Sequence, residues 1–154
     1  MESSDCDLII KALYDAFSNV EKPSPLATYD EACDFEEVDI FNEIDWEFAT
    51  YSDVVKGTEG LIVCPPITKV YLLPRLFRMV LQRQHGTPHE AVDNLSQELS
   101  TWPVEAEVEH LLTDSQKAAI ISAWSYLGHT IYGPSGSKVV QKFAEHWQIE
   151  IGAK

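Results

Sequence analysis

Tyr71, Arg75 and Arg78 stand three and four residues apart and form the cationic ridge of an otherwise acidic chain. Arginine beside tyrosine is common where a carboxylate or phosphate is held, because the planar guanidinium makes paired N–H···O bonds. The same ridge can be neutralised from within, and the acid-rich N-terminal third makes an internal partner the favoured reading. The run from Asp34 to Glu47 is the second candidate, with Asp34, Glu36, Glu37, Asp39, Glu43 and Asp45. Closely spaced carboxylates can bind calcium or act as general acid and base. A calcium loop also needs a glycine at its sharp turn and ligands at alternate positions, and the run has neither. A solvated face is the plainest reading, and a docking surface for a basic partner comes next.

The remaining chemistry-bearing residues point away from catalysis. His85 and His89 have the i, i+4 spacing of a zinc pair, but Gly86 and the Thr87-Pro88 helix start intervene, and no spacing suggests a third ligand. Cys6, Cys33 and Cys64 lack a CxxC pair, and their odd number fits a reducing compartment. Gly133-Pro-Ser-Gly-Ser-Lys138 has the wrong spacing for a phosphate loop and reads as a turn between helices. No metal, no cofactor and no catalytic residue are expected.

The elements that would position these groups read as helices. The segment from Ile67 to Arg83 is the most apolar and the only basic stretch: Val70, Leu73, Phe77 and Val80 share a face, and Leu72, Leu76 and Met79 extend it. Pro74 removes a donor inside it at a cost of roughly 3 kcal/mol, so a break or kink is expected, with a short turn from Thr68 and a helix from about 74 to 84. A first helix spans roughly 4 to 19, carrying Ile9, Leu13, Ala16, Phe17 and Val20. Thr28-Tyr-Asp-Glu31 has capping-box spacing and suggests a helix over about 29 to 42. Trp46 and Phe48 read as anchors, Gly57 and Gly60 as brackets of a turn, and Leu61–Cys64 as an extended entry to the central helix. Later helices are expected over about 88 to 100, from the Thr113-Asp-Ser-Gln116 capping box to Gly128, and from Ser137, with a helical turn near 104 to 111. The sum is an all-α fold: one compact domain of about six helices over residues 1–154, its central helix broken or kinked at Pro74.

A chain of 154 residues with 45% hydrophobic residues is long enough for a core and too apolar for disorder. Its net charge is −14, unevenly distributed: residues 1–60 hold 16 acids against 3 bases, and 61–89 hold 4 bases and no acid. Such a surface repels nucleic acid and anionic membranes and attracts a basic protein. No apolar run reaches the roughly 18 residues of a membrane span, and the acidic N-terminus does not resemble a signal peptide. The expected location is the cytoplasm.

The order of motifs resembles an uncharacterised family of small bacterial proteins, known as a domain of unknown function. The residues that carry the resemblance are Ala16-Phe17, Trp46, the block Pro66-Ile-Thr-Lys-Val-Tyr-Leu-Leu-Pro-Arg75, Leu112-Thr-Asp-Ser-Gln-Lys117 with Tyr126-Leu127, and Trp147. Leu72 stands where a second tyrosine is usual and Arg75 where a small residue is usual. The resemblance implies an all-helical intracellular domain and transfers no activity. The leading expectation is a non-enzymatic acidic binding protein, such as an immunity protein that neutralises a cationic toxin. The alternatives are a small hydrolase or ligand-binding enzyme built on Tyr71, Arg75 and a carboxylate, and a structural subunit of a larger assembly. Oligomeric state is not legible in the chain.

Overall fold

The computed structural model describes residues 5–30, 32–82, 89–130 and 134–148, with 89–94, 128–130 and 134–137 as backbone only. These residues form nine α-helices and no strand. They are α1 (Asp5–Ala16), α2 (Phe35–Glu43), α3 (Tyr51–Lys56), α4 (Thr58–Val63), α5 (Pro66–Leu81), α6 (His89–Thr101), α7 (Ala106–Glu109), α8 (Asp114–Thr130) and α9 (Pro134–Trp147), with a 3-10 turn at Trp102–Val104 before α7. The expected all-α class holds, and the count exceeds six because short helices replace segments read as irregular.

Helix α5 is the centre. It touches α1, α6 and α7, while α8 packs on α1 and α9. Every apolar position expected to face the core does so, from Val70 to Val80. The break expected at Pro74 does not occur, and α5 runs continuously from Pro66 to Leu81. Leu72, Leu73, Leu76, Phe77 and Val80 are each 0% exposed. Burying such side chains stabilises by about 1.5–3 kcal/mol apiece, so together they outweigh the ~3 kcal/mol cost of one interior proline. The carbonyl of Tyr71, in the turn that the proline ring crowds, also accepts a bond from the Arg75 guanidinium at 2.8 Å.

Residues 45–64 depart most from the sequence reading. Thr50 and Asp53 form a reciprocal capping box: the Thr50 hydroxyl accepts from the Asp53 N–H, and the Asp53 carboxylate accepts from the Thr50 N–H. That starts α3. Leu61–Val63 is helical within α4, not extended. Trp46 is an anchor, 1% exposed with its indole N–H on the Phe41 carbonyl at 3.3 Å, but Phe48 is 81% exposed and anchors nothing. The helix expected from Thr28 begins at Phe35, because Asp34 accepts from the Glu37 N–H and caps it there. Glu31, the other half of the expected box, lies outside the described residues. Further on, Thr113 and Gln116 do form the expected capping box. Of the α8 positions expected to face the core, Ala123, Trp124 and Leu127 are buried, Ile121 is half-buried and Ala118 is exposed, and Ile120 is buried as well. Gly128 lies within α8 and does not end it, and α9 starts at Pro134, three residues before Ser137. His85, Gly86, Thr87-Pro88 and Gly133 lie outside the described residues.

Gly60 is interior to α4 rather than at a turn, and close packing explains its type. A Cβ there would fall 2.1 Å from Cγ and 2.4 Å from Cβ of Phe41, which is itself fully buried on α2. Gly60→Ala should therefore destabilise by about 1–3 kcal/mol in urea unfolding, although alanine gains ~1 kcal/mol over glycine in a helix. An unchanged or higher midpoint would show that Phe41 yields freely.

Candidate functional site

A helix buried on most sides can carry polar side chains only along the edge that still reaches water. In α5 that edge holds Arg75 and Arg78, whereas Lys69, nine residues before Arg78, emerges on the opposite side of the helix. Side chains on a helix lean toward its N-terminus, so Arg75 folds back over the turn containing Tyr71. Its Nη1 donates to the Tyr71 carbonyl, and its guanidinium carbon lies 3.8 Å from the centre of the Tyr71 ring and 5.5 Å from that of Tyr14 on α1. Its Nε donates to Glu47 at 2.6 Å and its Nη2 pairs with the same carboxylate oxygen. All three guanidinium nitrogens are thus engaged within the chain. Tyr71 is 5% exposed, and burial raises its phenol pKa against the lowering influence of Arg75.

Arg78 stands one turn on. Its Nη2 donates to the Trp46 carbonyl at 3.5 Å and its Nη1 to Gln82 at 3.4 Å, both long. Its Nε and the Tyr14 hydroxyl are buried without a hydrogen bond of ordinary geometry. Burial raises the Tyr14 pKa, and the nearby Arg78 cation partly offsets that rise. The structure therefore gathers Tyr71, Arg75 and Arg78 and adds Tyr14 and Glu47, which sequence reasoning did not single out. Glu47 ends the acidic run and could have been suspected; Tyr14 sits at an ordinary helical position with no signal. At the other end of α5, Lys69 binds Glu105 at 2.8 Å and lies 5.5 Å from the centre of the Trp102 ring.

The six carboxylates of the acidic run do not converge. Asp34 caps α2, Asp45 accepts from the Glu47 N–H at 3.1 Å, and Asp39 accepts from the Tyr29 hydroxyl. Glu37 is partly covered, and desolvation, with Asp34 and Glu59 adding to it, raises its pKa. Glu36 and Glu43 are exposed. Glu36, Asp39 and Glu43 follow the i, i+3, i+7 spacing of one outer face of α2. Beside them Phe35, 56% exposed, packs on Tyr29, 46% exposed, at a ring separation of 4.7 Å. This aromatic pair had no sequence signal, since neither residue lies in an amphipathic pattern.

Among the described residues no three His, Cys, Asp or Glu side chains are grouped to hold a metal ion. His110 is exposed, and His146 meets Glu109 at 3.2 Å, joining α9 to α7; the side chains of His89 and His129 lie outside the described residues. Cys6, Cys33 and Cys64 are free thiols, and burial pushes the Cys64 thiol up to about 12. None of the described helices is long and apolar enough to cross a membrane. Comparison of the chain with protein-family models, curated proteins and solved structures gives no match.

The Arg75 contacts imply unequal costs for their removal. Arg75→Ala should lower stability by about 2 kcal/mol, through lost ring packing and carbonyl bonding. Glu47→Gln should cost less than about 1 kcal/mol, because the Glu47 side chain is 40% exposed and its pairing is screened. Urea unfolding of both variants checks this, and equal losses would transfer the stabilisation to the ion pair.

Proposed function

We propose that the protein is a non-enzymatic cytoplasmic binding module whose α2 face docks a basic protein. The observation that carries the reading is the solvent-facing Tyr29–Phe35 pair set among Asp34, Glu36, Asp39 and Glu43. Aromatic side chains anchor protein interfaces, and a rim of one charge speeds encounter with a partner of the opposite charge. The net excess of acids in residues 1–60 extends that field beyond the face itself. Within this reading a cationic toxin is the partner class, with the protein acting as its immunity partner. On this reading the chain is one of the small bacterial proteins it resembles, a likeness that adds no activity.

A pull-down from the source cells at about 50 mM salt should recover a specific basic protein that is released as salt rises. A Phe35→Ser, Glu36→Gln, Glu43→Gln variant should lose it. Recovery of nothing specific, or of proteins indifferent to salt and to the variant, would sink the reading.

A second reading places a small-anion site at the ridge, and the observation that favours it is the buried Tyr14 hydroxyl, with the Arg78 cation as its polar neighbour. Titration calorimetry with acetate and with inorganic phosphate should then give heat that Tyr14→Phe abolishes. Absence of heat in the native protein removes this reading.

A further inference from the structure

Two hollows open side by side on the surface near the start of α5, and Ile62 of α4 lines both. The first lies between α3–α4 and α6; Val54, Leu61 and Leu95 are its apolar part, and Gln97 and Glu98 are its polar part. Its volume of about 160 Å³ is below the ~300–1,000 Å³ of a small-molecule site, and suits a single side chain. The second, about 460 Å³, lies between the α4–α5 junction and α7. Asp30, Glu105 and Glu107 line it against one cation, Lys69, which Glu105 already holds. The shared ridge between them, Ile62, is 61% exposed on a helix whose Gly60 and Leu61 are buried.

We infer that these hollows form one docking groove for a basic amphipathic segment, an apolar side chain entering beside Leu95 and a lysine or arginine entering beside Asp30 and Glu107. The inference deepens the reading of the protein as a binder of basic proteins, and rests on it. Charge complementarity chooses the occupant. The second hollow has three carboxylates to one ammonium, so a cationic side chain gains there and an anionic one is repelled. The apolar hollow next to it separates an amphipathic segment from a merely charged one. Asp30 adjoins Tyr29 in the chain, so one end of the groove lies near the Tyr29–Phe35 pair.

The test is fluorescence anisotropy at low salt with two labelled peptides of equal charge, an amphipathic leucine/lysine helix and an oligolysine. Ile62→Ser, at an exposed position, should weaken the leucine/lysine peptide by about fivefold and leave oligolysine unchanged. Glu107→Gln should weaken the leucine/lysine peptide by about threefold or more. If both peptides bind and Ile62→Ser affects neither, the groove is overturned while the basic-partner reading stands. If neither peptide binds, both are overturned.

Discussion

Burying a helix on nearly all sides leaves its polar side chains only narrow exits to water, and α5 imposes that limit on the whole molecule. Arg75 and Arg78 share one exit, Lys69 leaves on the opposite side near the helix start, and each meets a partner contributed by another segment. Glu47 and the Trp46 carbonyl serve the two arginines, and Glu105 serves the lysine. The Tyr51 hydroxyl reaches the Met79 carbonyl at 3.0 Å, and the Thr68 hydroxyl reaches the Leu26 carbonyl at 2.6 Å. The segment from Leu26 to Tyr51 is therefore fastened along α5 by polar bonds as well as by apolar burial. Such bonds contribute modestly when made and cost more when a buried group is left unmade, which favours one arrangement of chain on helix over its competitors.

The acids of the N-terminal third divide into structural and unengaged groups. Asp34 and Asp53 start helices, Asp39 holds Tyr29, and Glu47 holds Arg75. Glu36 and Glu43 remain facing solvent. A density of negative charge that looks uniform in the sequence is thus a set of local tasks with a smaller residue of free carboxylates. Their juxtaposition with exposed Tyr29 and Phe35 sets the α2 face apart from an ordinary solvated helix surface. Scattered apolar exposure needs no explanation, whereas exposed rings packed on each other within a charged rim resemble the anchor and rim of an interface.

How much of this was legible depended on how strong the local signals were. The α5 core face followed from 3.6-residue periodicity, and the Thr113–Gln116 box fixed the start of α8 because both halves of the cap are present. Residues 45–64 carry weak local signals for two reasons. Two six-residue helices are too short to show periodicity, and the Thr50–Asp53 cap, visible as Thr-x-x-Asp, lies beside Trp46 and Phe48, whose aromatic signal is stronger. The continuity of α5 through Pro74 was illegible from local rules, since the opposing burial energy comes from α1, α6 and α7. Of the ridge, Tyr71, Arg75 and Arg78 were identified from spacing. Tyr14 and Glu47 come from 57 and 24 residues upstream of Tyr71, a distance that no pattern spans.

Trp46, Trp102 and Trp124 are each at most 3% exposed, at three different places in the helix packing. Two of them donate indole protons to backbone carbonyls, Trp46 to Phe41 and Trp124 to Leu99. Indole emission moves to longer wavelength when water reaches the ring. The chain thus carries intrinsic optical reporters in the acidic N-terminal segment, beside Lys69, and on the helix opposite Phe77. A molecule that opens one junction at a time would show its red shift in steps, and one that opens all together in a single step, without any dye attached.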